Sequence, residues 1–362
     1  MTVRSLKAEL ILQNGSRFSG RAFGHLKEAI GEVVFNTSCV GYQETITDPA
    51  YAGQIVVMTY PLIGNYGINL EDMESAAPKL KGLIVREKCD EPHNWRCEME
   101  LDGFLKQHRI MALEGIDTRA LTKLLRNNGT MKGIITVRPG EMTQSQVEQK
   151  FETPLSRSLV KDCTCTKITT LDGMGSHIGI LDLGLKNAFL EQFRKEGFKI
   201  TLFPAFTDAQ TIIDSGVVSL FVSNGPGSPE FIPEVAETVK SLLGKLPMVG
   251  IALGYLVIAA AAGCKVTRLK YGHHGSSCPV KDIKKNRVYV TSQNTDYVVS
   301  ETADDTEVIF KNVYEGTPEG ILLKRQHAYG VQFYPDLFKK PWSTRYVFDY
   351  MCKLLNGGEN IG

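Results

Sequence analysis

The chain has 362 residues, more than one domain usually contains, so two domains are expected. Apolar residues make up 43% and charged residues 22%, proportions typical of a soluble globular protein with sizeable cores. The 41 Lys and Arg residues nearly cancel the 40 Asp and Glu residues, so neither nucleic acid nor a membrane is an expected partner.

Targeting and cysteine patterns favour the cytoplasm. Residues 1–7 include the charged Arg4 and Lys7, so the apolar core of a signal peptide is not expected there. The apolar stretch at residues 257–262 is far too short to span a bilayer. Eight cysteines without regular paired spacing fit a reducing compartment. Cys163 and Cys165 are too close for the usual zinc spacing, so no metal or other cofactor is expected.

The first 152 residues mix strand and helix patterns, which predicts a smaller mixed α/β domain at the N-terminus. Asp117-Thr118-Arg119 opens a helix that continues through Arg126, and Asn128-Gly129 ends it. Apolar and β-branched runs predict strands at residues 8–12, 31–36, 54–59 and 132–137.

The composition then changes. Residues 153–176 are rich in Ser, Thr, Lys, Asp and Gly and only weakly periodic, which predicts an interdomain linker. Residues 177–358 alternate strand and helix patterns, which predicts a C-terminal domain with a doubly wound, mostly parallel sheet flanked by helices. The strands are predicted at residues 177–182, 198–203, 217–222 and 248–251, with helices around Phe189 to Phe193, after a cap at Thr207 or Asp208, and at residues 233–243.

Two of these strand ends have unusual sequences, and function gathers at the carboxyl ends of such strands. After one strand, residues 223–229 read Ser-Asn-Gly-Pro-Gly-Ser-Pro, a rigid turn whose N–H groups, at Gly225 and Gly227, can cradle an oxyanion or a carboxylate. A tight strand-to-helix turn without a ligand is the simpler interpretation, and the turn taken alone favours it.

The second strand end has the pattern of a nucleophile elbow. A strand runs through Gly250-x-x-x-Gly254 directly into an Ala-rich helix, and small residues let the chain turn sharply to present one side chain. The presented residue is Ala252, whose methyl group has no nucleophilic atom.

Together, the two motifs resemble those of class I, triad-type glutamine amidotransferases, whose elbow reads roughly Gly-Ile-Cys-Leu-Gly-His-Gln. In that family the Cys attacks the glutamine amide, and a later His-Pro-Glu supplies the base and the orienting carboxylate. The later motif aligns with residues 330–336, Gly-Val-Gln-Phe-Tyr-Pro-Asp. The resemblance therefore implies that Ala252 replaces the Cys, Tyr334 the His and Asp336 the Glu.

The N-terminal half narrows the resemblance to the small subunit of carbamoyl-phosphate synthase. In that family the small subunit pairs with a large subunit that makes carbamoyl phosphate from bicarbonate, ATP and ammonia, and it releases the ammonia from glutamine. The similar segments occur in the family's order over about residues 8–355, and they are residues 31–38, 41–44, 47–49, 59–65, 115–119, 182–187, 271–275 and 291–294.

Other positions of the family's glutamine pocket also differ. Leu256 stands where the family has a Gln that helps to hold the substrate, and Ala50 replaces a Ser that contacts glutamine. After Asn294 the family's His-Gly is Thr295-Asp296, which places an anion at a glycine position. Some groups of the pocket do match those that the resemblance implies. They are Gly225, Gly227, the N–H of Leu253 and the aromatic residue Tyr297.

These differences predict that glutamine hydrolysis is lost. In a comparable hydrolase, removing the nucleophile or the base alone costs about 10⁶-fold in turnover, and here Ala252 and Tyr334 replace both. The expected role is that of a structural or regulatory partner of an ammonia-using large subunit, in a heteromer. Whether the pathway is that of arginine or of pyrimidines stays open.

Two alternatives remain from the sequence. In the first, the altered pocket, with Tyr255, Leu256, Tyr334 and Thr295, binds another small ligand or a protein segment outside the synthetase. Asp296 would disfavour an amino-acid carboxylate there and favour a cation.

In the second alternative, a relocated cysteine is the nucleophile. Cys278 follows His273 and His274 closely, and Cys264 follows the elbow helix, so a thiol and an imidazole are available. The His-His-Gly segment, however, matches a family segment without a chemical role, and buried cysteines are usually inert.

Overall fold

The computed structural model describes residues 6–157, 159–338, 340 and 343–357, which form two compact units. Unit 1 contains residues 6–156 and Lys270–His274, and unit 2 contains the other described residues. The segment proposed as a linker includes a 3-10 turn at Leu159–Asp162 and a short strand at Thr169–Leu171. Among the described residues, no helix has the length and apolar character needed to cross a membrane.

Unit 1 is built on a closed barrel, a closure that the strand pattern did not predict. Each strand pairs with two neighbours, in the order β1-β2-β8-β6-β4-β3-β9, and β9 pairs back onto β1. The strands are β1 (Lys7–Leu12), β2 (Arg17–Gly24), β3 (Ala29–Asn36), β4 (Gln54–Met58), β5 (Leu62–Ile63), β6 (Gly82–Ile84), β7 (Glu87–Lys88), β8 (Met111–Glu114) and β9 (Met131–Thr136), of which β5 and β7 form a separate pair.

Both faces of strand β4 are buried, which explains its continuous apolar sequence. Ile55 and Val57 pack in one hydrophobic cluster, and Val56 and Met58 pack in another that includes Phe104. Because both sides of the strand are covered, the usual alternation of polar and apolar residues is absent.

The helices of unit 1 include one whose two ends follow directly from the sequence. The Asp117 carboxylate accepts a hydrogen bond from the Ala120 N–H at 2.9 Å, which caps the helix start as predicted. At the other end Gly129 has φ +92°, a conformation that favours glycine. The helices are α1 (Tyr42–Thr47), α2 (Leu101–Gln107), α3 (Thr118–Asn128) and α4 (Gln144–Glu152).

Unit 2 is built on a ten-stranded sheet in the order β10-β12-β11-β13-β14-β19-β18-β17-β15-β16. The neighbouring strands from β12 to β19 in this order pair in parallel, as expected. The pairs β10–β12, β19–β18, β18–β17 and β17–β15 are antiparallel. The strands are β10 (Thr169–Leu171), β11 (His177–Asp182), β12 (Lys199–Pro204), β13 (Ser219–Val222), β14 (Met248–Ile251), β15 (Lys265–Asp282), β16 (Arg287–Glu301), β17 (Glu307–Asn312), β18 (Pro318–Leu323) and β19 (Ala328–Val331).

Helices cover both faces of the parallel part of this sheet. On β13, Leu220 and Val222 pack in a cluster with residues of three helices, while Phe221 packs on the opposite face with Phe193 and Phe348. The helices are α5 (Asn187–Lys195), α6 (Ala209–Asp214), α7 (Pro233–Leu242), α8 (Leu253–Ala261) and α9 (Arg345–Leu355). Unit 2 is therefore a doubly wound α/β structure, as predicted, with a mixed rather than mainly parallel sheet.

Candidate functional site

The elbow at the end of β14 has a strained backbone. Ala252 lies between β14 and α8 with φ 48° and ψ −113°, and its N–H donates to the Val331 carbonyl at 3.0 Å. Residues other than glycine rarely adopt a positive φ, because their Cβ atom crowds the backbone. The strand, sharp turn and helix predicted from the sequence are all present, and the methyl group of Ala252 is the side chain at the apex.

The glycines on either side of Ala252 are required by close packing. A Cβ atom on Gly254 would lie 2.0 Å from the Val222 carbonyl oxygen, and one on Gly250 would lie 2.7 Å from the backbone of Gly254. The Gly-x-x-x-Gly spacing therefore lets the first turn of α8 approach the ends of β13 and β14.

The turn after β13 also depends on close packing. A Cβ atom on Gly225 would lie 2.2 Å from the Leu183 carbonyl oxygen, and Gly227 has φ +88°. The Asn224 side chain joins this turn to the end of β11, since its Nδ2 donates to the Gly184 carbonyl at 2.8 Å and its Oδ1 accepts from the Lys186 N–H at 3.2 Å. These bonds hold together two of the parallel strand ends.

Tyr334 lies after the end of β19. Its N–H donates to the Ser292 carbonyl at 2.9 Å. Its ring packs 6.1 Å from the ring of Phe189, and the Lys186 ammonium lies 4.7 Å from the ring centroid. The tyrosine ring is thus a packing surface for an aromatic side chain and a cation.

Asp336 is bound to the start of α9. Its Oδ2 accepts hydrogen bonds from both the N–H and the hydroxyl of Thr344, each at 2.9 Å. In return, the Asp336 N–H donates to the Thr344 hydroxyl at 2.9 Å. This arrangement gives the carboxylate a structural function at the beginning of a helix.

Comparison with known proteins identifies the family. The family model for the carbamoyl-phosphate synthase small chain, CPSase domain, matches residues 10–135, and the model for class I glutamine amidotransferases matches residues 179–354. A carbamoyl phosphate synthase small chain from Clostridium perfringens is 46% identical over 96% of this chain and 99% of that relative. The chain belongs to the carbamoyl-phosphate synthase small chain family.

Other relatives cover the chain equally well. A small chain from Caldanaerobacter subterraneus is 42% identical over 95% of this chain and 95% of that relative. A pyrimidine-specific small chain from Bacillus subtilis is 39% identical over 99% of this chain and 98% of that relative. The matches to these relatives therefore extend over both units of the chain.

The residues that follow the elbow are buried. Leu253 and Leu256 are 2% and 1% exposed and belong to the core on the α7–α8 face of the sheet. Tyr255 is also buried, and its hydroxyl donates to the Pro318 carbonyl at 3.0 Å. Burial raises the pKa of Tyr255 well above its ordinary value, so the phenol keeps its proton.

The segment from Asn294 to Tyr297 lies in β16. Thr295 bonds locally, since its hydroxyl donates to the Tyr297 carbonyl at 2.8 Å and accepts from the Tyr297 N–H at 3.1 Å. The rings of Tyr297 and Phe231 pack edge to face, with their centroids 6.2 Å apart. Asn294 is buried and Asp296 is half-buried, so both are held within the sheet.

Ala50 belongs to unit 1, whereas the other candidate site residues belong to unit 2. It lies in a 3-10 helix, Pro49–Tyr51, and its N–H donates to the Asp48 carboxylate at 2.9 Å. Its methyl side chain is buried.

The two cysteines considered as substitutes have unreactive surroundings. Burial, followed by the charges of Glu319 and Glu315, raises the pKa of the Cys278 thiol to about 12. Cys264 is buried, with its sulfur 3.6 Å from the Thr306 hydroxyl. A thiol that stays protonated is a poor nucleophile.

The sequence analysis missed a buried polar cluster in the sheet beside the elbow helix. Glu319 is fully buried, and its carboxyl oxygens accept from Asn312 Nδ2 at 3.1 Å and from Gln293 Nε2 at 3.0 Å. Burial raises the pKa of Glu319 to about 8. Gln332 lies opposite, its N–H bonded to the Glu319 carbonyl, and its side-chain amide has no hydrogen-bond partner in the described part of the chain.

This cluster had only a weak signal in the sequence. Gln332 lies inside the motif aligned with the family, and Glu319 is a charged residue at the start of an apolar strand, Pro318–Leu323. Neither pattern specifies burial. In the described residues, no group of three or more His, Cys, Asp or Glu side chains is arranged to hold a metal ion.

Proposed function

We propose that this chain is a small subunit of carbamoyl-phosphate synthase that does not hydrolyse glutamine, and that it stabilises or regulates a large subunit that uses free ammonia. The observation on which the proposal depends is the alanine at the apex of the elbow. The backbone of Ala252 has the strained geometry of a presented nucleophile, with φ 48°, yet its side chain is a methyl group. A methyl group cannot attack the amide carbon of glutamine.

The positions expected to supply the base and the orienting carboxylate support the proposal. Tyr334 offers a phenol, packed against Phe189 and the Lys186 ammonium, where an imidazole would be needed. The Asp336 carboxylate accepts both hydrogen bonds of Thr344. Proton transfer from a nucleophile to a base is therefore not available at this strand end.

The expected loss of activity is large. In a comparable hydrolase a missing nucleophile or base costs about 10⁶-fold in turnover, and oxyanion stabilisation leaves roughly 10³–10⁴-fold over the reaction in water. The pair of substitutions at Ala252 and Tyr334 removes both groups. Hydrolysis at the residual rate is too slow to feed a synthetase.

A relocated thiol nucleophile is disfavoured by the surroundings of both cysteines. Cys278 has a pKa raised to about 12, so less than about one thiol in ten thousand is ionised at pH 7. Cys264 is buried among apolar residues. Neither has the electropositive, accessible environment of a catalytic cysteine.

The large-chain partner is inferred from the family. Relatives that cover nearly the whole chain are named as small chains, and one of them is named as pyrimidine-specific. We expect a cytoplasmic heteromer with a large subunit; arginine and pyrimidine synthesis are both compatible pathways.

The test is carbamoyl-phosphate formation by this chain mixed with the large subunit from the same organism. Glutamine and ammonium are supplied as alternative nitrogen sources, with the large subunit alone as the control. Synthesis from ammonium only, at a rate or stability improved by this chain, is the expected result. Synthesis from glutamine would contradict the proposal, and replacement of Cys264 and Cys278 by Ser would then decide whether a relocated thiol is responsible.

A second outcome would favour another function. If the chain has no effect with either nitrogen source and does not bind the large subunit, it acts outside the synthetase, as a protein that binds another ligand. The observation that favours this alternative is Asp296, a half-buried anion at a position where the resemblance implies a glycine.

A further inference from the structure

The side-chain amide of Gln332 is buried without a hydrogen-bond partner at either end. The residue is fully buried, and within the described part of the chain neither its Nε2 nor its Oε1 has a partner. An amide that gives up its hydrogen bonds with water and gains none in return destabilises the folded state. Buried polar side chains are therefore nearly always bonded, either to protein groups or to ordered water.

The direction of the Gln332 side chain follows from its neighbours along the chain. Val331 and Phe333 pack in the hydrophobic cluster that includes residues of α9. Successive side chains of an extended chain point to opposite faces of a sheet, so Gln332 points to the other face, that of α8. A Cβ atom on Gly330 would lie 2.9 Å from the Tyr255 ring of α8, in agreement with this direction.

The Glu319 side chain lies on the same face. The Gln332 N–H donates to the Glu319 carbonyl at 2.8 Å, so the two residues are directly opposite each other on antiparallel strands. Side chains in such a pair share one face of the sheet, with Cβ atoms about 5 Å apart. Ile321, two residues after Glu319, packs in the same cluster as Tyr255 of α8. The two polar side chains are therefore cross-strand neighbours inside the core.

The elbow lies on the other side of Gln332. Ile251 pairs with Val331 in the parallel ladder, and the Ala252 N–H donates to the Val331 carbonyl at 3.0 Å. Gln332 is the next residue along the same strand. A ligand held between Gln332 and Glu319 would therefore link β19 to β18 beside the elbow.

The chemistry of these groups matches water. An amide offers both donors and an acceptor, and a carboxyl oxygen accepts more than one hydrogen bond. Water donates and accepts, and a buried water molecule typically makes about three hydrogen bonds. A cation matches less well, because burial raises the pKa of Glu319 to about 8 and the carboxyl is mostly uncharged at pH 7.

We propose that Gln332 and Glu319 form an enclosed water-binding site between the sheet and helix α8, in which one water molecule bridges the Gln332 amide and the Glu319 carboxyl. The water supplies the amide with a hydrogen-bond partner. It also adds a side-chain link between β18 and β19 to the backbone hydrogen bond that joins them there. The site depends neither on glutamine hydrolysis nor on a partner subunit.

The first experiment is a high-resolution crystal structure of the full-length wild type. We expect an ordered water molecule within about 3.2 Å of an amide atom of Gln332 and of a carboxyl oxygen of Glu319. A structure in which both amide atoms of Gln332 bond protein groups directly, or in which no water lies between the two side chains, would overturn the inference.

The second experiment counts long-lived internal water in solution by oxygen-17 magnetic relaxation dispersion. Gln332→Met keeps a side chain of similar length but removes the amide. The matched control, Gln210→Met, makes the same change at an exposed glutamine. We expect Gln332→Met to lose the contribution of one internal water molecule, and Gln210→Met to lose none.

Thermal unfolding verifies that each variant is folded. Equal dispersion amplitudes for the wild type and a folded Gln332→Met would contradict the proposed site. If Gln332→Met does not fold, the crystal structure of the wild type decides.

Discussion

Replacing Glu319 by Gln is expected to change how the stability of unit 2 depends on pH. The carboxyl group is fully buried, and burial raises its pKa to about 8 from an ordinary value of 4.5. The folded chain therefore holds a proton that the unfolded chain releases above about pH 4.5. Stability from this group is fully present below pH 4.5, falls as the pH rises, and is lost above about pH 8.

The size of the effect follows from proton linkage. Where the folded state binds one proton more than the unfolded state, the free energy of unfolding falls by about 1.4 kcal/mol for each unit by which the pH rises. Between pH 5 and pH 8 the wild type should lose up to roughly 4 kcal/mol through Glu319. A glutamine at this position has no proton to lose, so this part of the pH dependence disappears.

The site can accept the amide. Asn312 Oδ1 accepts the Tyr314 N–H at 2.9 Å, so its Nδ2 continues to face residue 319 and bonds the new amide oxygen. Gln293 is able to turn its amide over and accept from the new NH₂ group. The variant Glu319→Gln should therefore fold.

The measurement is urea unfolding of wild type, Glu319→Gln and a control, Glu237→Gln, at pH 5, 6, 7 and 8. Glu237 is 77% exposed by its side chain, and its substitution should leave the pH profile unchanged. We expect the free energy of unfolding of Glu319→Gln to rise relative to wild type by 1 kcal/mol or more between pH 6 and pH 8. If the free energies of unfolding of wild type and Glu319→Gln differ by the same amount at all four pH values, the buried, protonated state of Glu319 is refuted.

Other expected outcomes concern the elbow and its surroundings, each read from unfolding free energies. Ala252→Gly should stabilise the chain by about 1 kcal/mol, because glycine accepts φ 48° without strain, whereas Ala252→Val should destabilise it. Gly254→Ala should cost more than about 2 kcal/mol, since its Cβ would lie 2.0 Å from a carbonyl oxygen, while Gly103→Ala, with nothing within 4 Å, should be neutral or stabilising. Thr344→Ala should cost about 1–2 kcal/mol because it removes the hydroxyl that donates to the Asp336 carboxylate and accepts from the Asp336 N–H, and an unchanged stability would contradict the structural function given to that carboxylate.

Helix ends and turns that depend on neighbouring residues are predictable from the sequence. Asp117 and Gly129 mark the two ends of α3 because a cap and a positive-φ glycine act within a few residues of the chain. The strand Met248–Ile251 and the sharp turn at Ala252 were likewise predicted, since the small residues needed there are adjacent in sequence.

Long-range pairing was predicted less well. The closure of the barrel depends on β9 pairing with β1, across more than a hundred residues, and no local pattern specifies that contact. For the same reason, the strand Thr169–Leu171 was included in a predicted linker, although it pairs with β12 at the edge of the sheet. The antiparallel end of that sheet was also absent from the prediction.

The sequence by itself determined the family of this chain and the absence of a nucleophile at residue 252, because both depend on residue identity in short motifs. Only the tertiary structure decided what surrounds each candidate site residue. Asp336 bonds Thr344, and Glu319 keeps its proton beneath the elbow helix, because burial and hydrogen-bond partners come from strands and helices distant along the chain.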